Sequence, residues 1–372
     1  MPAPRNFPAE ASSNSRYSAA HRVLLQAMDD LAFPGAAYGV LRGDEPSVIQ
    51  AAGRFTYEPD APAVRRETIF DMASVSKVMA TTAMAMLLWE RGQLDLDRPA
   101  GDTIPEFVWK ETAQSLKRSV TPRMLLAHSS GLPAYERLYE RHSTRETLLA
   151  ACLQIPLEAA PETHAVYSDI GFIVLGHLLE TIAGESLDAF CHRGVFEPLG
   201  MTSTRYRPPS ETRASIPPTG IDTRRGLLQG EVHDDNCRIM GGVSGHAGLF
   251  SNVADTLRFA QCILRGGTPI FKAATVALFT ALQSTPANTT RALGWDTPSL
   301  PSSSGHCFSP HSVGHLGYTG TSLWIDMEKD LSIVLLTNRT YPGNGQGGIS
   351  SGIQRVRPLF HDAVMQELAT GK

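Results

Sequence analysis

The chain has 372 residues, 42% of them hydrophobic and 19% charged, so it exceeds a typical domain of roughly 100 to 200 residues and can bury a large core. That balance excludes disorder, and a formal net charge of -4 with dispersed Lys and Arg excludes a nucleic-acid partner, whose phosphates need a clustered basic footprint. No apolar run approaches the ~18 residues of a membrane span, and residues 1–20 lack the apolar stretch of a secretion signal. A chain without a transmembrane segment is expected, cytoplasmic as written or periplasmic if the start is incomplete.

Residues 1–16 read as a flexible arm, and residues 17–372 as a single catalytic unit. Residues 17–31 carry apolar side chains at helical spacing and stop before Phe33-Pro34-Gly35. Residues 36–41 and 47–52 flank Arg42-Gly43-Asp44-Glu45-Pro46, the turn chemistry of an antiparallel strand pair. From Ser74 to Arg91 the chain is apolar on most sides, which predicts one buried helix ending at Gly92. Helical pieces at 121–128, 145–153, 171–182 and 254–264 then alternate with Pro/Gly-rich loops. Residues 322–327 and 331–338 flank Glu328-Lys329-Asp330 as a second strand pair, and 353–368 closes as an amphipathic helix. The strands at both ends are expected to share a sheet, giving an α/β lobe of about 17–100 and 305–372 with a helical lobe of about 101–304 inserted. The cleft between lobes is the natural site.

The five cysteines, Cys152, Cys191, Cys237, Cys262 and Cys307, are scattered and odd in number, so no disulfide and no zinc site is expected. His306, Cys307, His311 and His315 only loosely imitate metal-ligand spacing, and neither metal nor cofactor is expected. Ser74 and Lys77 have a sharper meaning. Residues three apart on a helix share a face, so the serine could hand its proton to the lysine. His233-Asp234-Asp235 and His246, in a Gly-rich region, are candidates to line the cleft.

In order along the chain stand Phe70-Asp71-Met72-Ala73-Ser74-Val75-Ser76-Lys77, His128-Ser129-Ser130-Gly131-Leu132-Pro133, Tyr167-Ser168-Asp169, Pro198-Leu199-Gly200-Met201, Gly248-Leu249-Phe250-Ser251 and Gly314-His315-Leu316-Gly317-Tyr318-Thr319-Gly320. This ordered set resembles the serine β-lactamase and penicillin-binding-protein superfamily, and within it the class C β-lactamase, DD-peptidase and family VIII esterase group. The resemblance implies an α/β (α+β) fold: an antiparallel sheet built from both chain ends and flanked by helices, with an inserted, mostly helical lobe. It also implies Ser74 as nucleophile, Lys77 as its paired lysine and Tyr167 as general acid/base.

Asp169 stands where many relatives have asparagine. A carboxylate there favours the ammonium form of Lys77, which makes Tyr167 the proton acceptor and Lys77 its electrostatic support. His315 and Gly317 match the lysine and glycine of K-T-G, and the backbone N–H groups of Ser74 and Tyr318 would form an oxyanion hole. Arg339 is the candidate carboxylate anchor in place of that lysine, and His128 is read as structural. The expected function is a serine hydrolase acting on a small-molecule or peptide substrate, D-alanyl-D-alanine carboxypeptidase-like first. Carboxylesterase or weak β-lactamase activity is the alternative, and a non-catalytic penicillin-binding sensor or scaffold is the rival of another class.

Overall fold

The two hairpins read from the sequence meet in one sheet. The computed structural model describes residues 16–299, 301–343 and 352–370, so all of the arm expected over 1–16 except Arg16 lies outside the described residues. Strands β1 (Gly35–Arg42), β2 (Val48–Gly53), β3 (Val313–Leu316), β4 (Ser322–Asp326) and β5 (Leu331–Thr337) lie in the order β2-β1-β5-β4-β3. Every neighbouring pair is antiparallel. The seam between the two chain ends is β1 against β5, with Ala37 opposite Leu336 and Val40 opposite Ile333. Apolar periodicity does not predict β3, which sits in a Gly/Ser/Pro-rich stretch and forms the edge beside the cleft.

Of the helices α1 (Ser18–Asp29), α2 (Ala83–Glu90), α3 (Asp169–Ala183), α4 (Val253–Leu264) and α5 (Gly352–Thr370), α1, α4 and α5 cover this sheet, whereas α2 and α3 pack on each other. One face of the sheet, carrying Tyr38, Ile333 and Leu335, packs on Leu24 of α1 and Phe360 and Val364 of α5. The other, carrying Ala37, Val334 and Leu336, joins the main core with Val253 and Leu257 of α4. Because both faces are covered, β1 and β5 read as apolar runs without alternation. Each fully buried large side chain contributes about 1.5–3 kcal/mol. Gly39 lets α4 approach β1, since a Cβ there would meet Val253 and Leu257.

The single helix expected over 74–91 is in fact three pieces: a 3₁₀ turn at Ala73–Val75, a π-helical turn at Lys77–Thr82, and α2. The wide turn accompanies an outside contact, because Thr81 Oγ1 donates to the Gly245 carbonyl at 2.7 Å. Such π turns concentrate at functional sites. Gly92, with φ +68°, follows the end of α2 as expected.

Candidate active site

Ser74 sits on a strained turn. The two-residue strand Phe70–Asp71 pairs with Leu249–Ser251, and the chain then reverses through Ala73 at φ +46°, a left-handed conformation that costs a non-glycine residue about 1–3 kcal/mol. Asp71 holds that turn: its carboxylate accepts from the N–H of Ala73 and of His233, each at 2.8 Å. Burial outweighs those two bonds and pushes the Asp71 carboxyl up to about 6.

The spacing of Ser74 and Lys77 works as expected, with Nζ 3.0 Å from Ser74 Oγ. Lys77 is fully buried and spends its other two N–H groups on Asp169 Oδ1 at 2.6 Å and the His246 carbonyl at 2.9 Å. Burial works against its charge, yet Asp169 and Tyr167 outweigh burial and hold the ammonium above the ordinary lysine value. Tyr167 is also raised, by burial first, against the opposing pull of Lys77, so it rests as a phenol. Its buried hydroxyl lies beside Lys77 and Ser74 without a well-formed hydrogen bond. With all three lysine N–H groups committed, the Ser74 proton is left free to turn toward the Tyr167 oxygen.

Asp169 raises both Lys77 and Tyr167. Changing Asp169→Asn should therefore lower both and move the acid limb of kcat/KM to lower pH by about 1–2 units, the size of a near carboxylate's effect. A pH–rate profile checks this, and an unmoved limb would remove Asp169 from the proton chemistry.

The opposite wall is the β3 edge and the turn after it. His315 is buried and its Nδ1 donates to the Leu316 carbonyl at 2.8 Å, leaving Nε2 without a partner beside Tyr167, whose ring centroid is 5.9 Å away. Burial, then Lys77, keeps its pKa well below the ordinary value, so the imidazole is neutral. Gly317 is needed for packing: a Cβ there would overlap Thr321 Oγ1 and the Met72 carbonyl. Thr321 Oγ1 donates to that carbonyl at 2.9 Å and Thr319 Oγ1 to the Asp71 carbonyl at 2.7 Å, so the two turns are clamped together. The backbone N–H groups of Ser74 and Tyr318 have no acceptor among the described residues.

These residues line one cleft of about 700 Å³, with Lys77 beneath Ser74. Arg339 lines it too, stacked on Tyr318 at 4.7 Å with its Nε donating to the Tyr318 carbonyl. Local sequence reasoning missed two further arginines. Arg357 reaches in from α5, fully buried, donating to the Gly317 and Thr321 carbonyls, with Nε unpartnered and its pKa lowered by burial to about 9. Neither Arg339 nor Arg357 pairs with a carboxylate among the described residues. Arg291 lies 5.6 Å from the Tyr167 ring centroid and pairs with Asp296 at 3.5 Å. A buried arginine on a helix otherwise read as amphipathic was the only signal for Arg357.

His128 holds the site from outside the cleft. Its Nδ1 accepts from the Ser168 N–H at 3.0 Å, and its ring lies 4.7 Å from that of Tyr167. Ser168 caps α3 by accepting from the Gly171 N–H, which brings Tyr167 and Asp169 to the helix entrance. His306 and His311 turn elsewhere, to Asp362 and Glu328, and so do not gather with His315.

The beta-lactamase family model matches residues 20–350. The chain is 32% identical to an Escherichia coli (strain K12) protein provisionally named a D-alanyl-D-alanine carboxypeptidase, over 74% of this chain and 70% of that one. It is also 32% identical to the Bacillus subtilis (strain 168) N-acetylmuramyl-L-alanine amidase, over 83% and 78%. The solved structure of EstCE1, a hydrolase with promiscuous acyltransferase activity, superposes with a TM-score of 0.72 at 25% identity over 93% of this chain and 97% of that one. A match across nearly the whole described chain, on a sheet closed by both chain ends, makes this protein a serine hydrolase that belongs to the beta-lactamase family.

Proposed function

We propose that the protein is a D-alanyl-D-alanine carboxypeptidase-like hydrolase working through a Ser74 acyl-enzyme. Ser74 Oγ attacks the substrate carbonyl while its proton passes to Tyr167 in its phenolate form, the fraction of enzyme whose resting phenol has ionised beside the Lys77 ammonium. The Ser74 and Tyr318 N–H groups hold the oxyanion, each donor worth about 3 kcal/mol. Collapse breaks the C–N bond, Tyr167 protonates the leaving amine, and water then attacks the acyl group and frees Ser74. Lys77, held as ammonium, stabilises negative charge on Ser74 and Tyr167 throughout.

One observation carries the substrate class: Arg339 and Arg357 bring two guanidiniums to the cleft with no carboxylate partner among the described residues. Burying the Arg357 cation against neutral carbonyls costs several kcal/mol, and a terminal carboxylate on the substrate would offset part of that cost. The neutral His315 cannot supply that charge. Arg339→Gln should raise KM about 10- to 100-fold for a peptide ending in D-Ala-D-Ala and leave its C-terminal amide analogue unchanged. Equal effects on both peptides would contradict carboxylate recognition.

A carboxylesterase is the second reading, favoured by His315, whose free Nε2 offers an acceptor where a carboxylate would want a cation. A p-nitrophenyl ester and a muramyl-L-alanine amide belong in the same assay. Fast ester turnover, insensitive to Arg339, would replace the peptidase reading; amide cleavage would move the scissile bond; no turnover of any acyl substrate would favour the binding protein.

A further inference from the structure

A second hydrogen-bonded chain lies behind Lys77 and takes no part in the steps above. The loop 244–247 is wedged between the turn that carries Lys77 and α3: Thr81 donates to the Gly245 carbonyl, and a Cβ on Gly245 would overlap the Phe172 carbonyl. Within it His246 is 1% exposed, with Nε2 2.8 Å from Asp234 Oδ1 and Nδ1 2.9 Å from Ser244 Oγ. Asp234 Oδ1 also accepts from the Cys237 N–H at 2.7 Å. Burial opposes the charge of Asp234, but His246, the Cys237 N–H and Lys77 together outweigh it and keep the carboxyl below its ordinary range. An ionised carboxylate only accepts, so Nε2 donates to Asp234, while Nδ1 shares a hydrogen bond with the Ser244 hydroxyl. Both ring nitrogens are thus occupied, and the ring has none left for a substrate proton. What His246 presents to Lys77 is its main-chain carbonyl.

We propose that Ser244, His246 and Asp234 are positioning residues for Lys77: the pinned imidazole sets the His246 carbonyl as the third acceptor around the ammonium, and Asp234 supplies a second carboxylate behind it. This rests on the Ser74–Lys77–Tyr167 chemistry proposed above. The other groups facing Lys77 are Ser74 on its own segment, Tyr167 and Asp169 at the entrance to α3, His128 behind Tyr167, His315 on β3 and the buried Cys237 thiol. His128 and His315 are neutral and Cys237 is held as thiol, so Asp169 and Asp234 are the negative charges of the set.

The test is the pH profile of kcat/KM for p-nitrophenyl acetate in wild type, Asp234→Asn and Asp234→Ala, with fluorophosphonate labelling of Ser74 in parallel. Removing a negative charge lowers the pKa of Lys77 and of Tyr167 alike, so the acid limb moves to lower pH whichever of them takes the proton. The amide of Asp234→Asn still accepts from His246 and Cys237, so its limb should move by about half a unit to one unit with the plateau within about threefold of wild type. Asp234→Ala also loses the brace, and its plateau should fall at least about tenfold; if it does not fold, the asparagine variant carries the test. A limb coincident with wild type in the folded variants, whatever their melting temperatures, overturns the proposal. If wild type takes no label at Ser74, the catalytic reading falls and the brace with it.

Discussion

Ser74→Ala is expected to reduce hydrolysis of every acyl substrate by about 10⁴-fold or more while the protein stays folded. The loss follows from removing the hydroxyl that lies at the cleft 3.0 Å from Lys77 Nζ. The fold should tolerate it: Lys77 keeps Asp169 and the His246 carbonyl as acceptors, so the cost is that of one hydrogen bond, about 1 kcal/mol. Ester turnover and the thermal midpoint, measured together, separate the two effects. Hydrolysis surviving near the wild-type rate in a folded variant would place the chemistry elsewhere.

Tyr167→Phe should show the same division between rate and stability for a different reason. The Tyr167 hydroxyl is buried and makes no well-formed hydrogen bond, so deleting it removes an unsatisfied group and should change stability by no more than ~1 kcal/mol, in either direction. The ring remains, keeping its contacts with His128 and with Lys77, 4.9 Å from the ring centroid. Turnover, by contrast, should fall about 10²- to 10⁴-fold, the usual share of a general acid/base. A folded Tyr167→Phe variant with full activity would mean that Lys77 takes the serine proton unaided, against the raised pKa that Asp169 gives it.

What could be read from the residues divides by range. Ser74 and Lys77 are three apart, and a spacing rule places them together before any tertiary contact is known. The hairpins of β1 with β2 and of β4 with β5 announce themselves by apolar runs around turn residues. Tyr167, Asp169, His315 and Gly317 needed the resemblance, because nothing local ties residue 167 to residue 315. Arg357, Arg291 and Asp71 stayed hidden, since their meaning lies in partners far along the chain, such as the Gly317 carbonyl for Arg357 and the His233 N–H for Asp71. His246 and Asp234 were visible as cleft candidates, but not their link to Lys77, which runs through a main-chain carbonyl that every residue possesses. Two-residue strands such as Phe70–Asp71 are too short to carry a period, and the π turn at Lys77–Thr82 answers to Gly245, 164 residues from Thr81.

The most direct measurement is intact-protein mass spectrometry, with peptide mapping, of the wild-type chain after incubation with a penicillin, a fluorophosphonate and a p-nitrophenyl ester. A nucleophilic Ser74 predicts a mass increase of one acyl group per chain from the penicillin or the ester, or one phosphonyl group from the fluorophosphonate, carried on the peptide containing Ser74. No adduct with any of the three on folded protein, or an adduct carried by another residue, would contradict it.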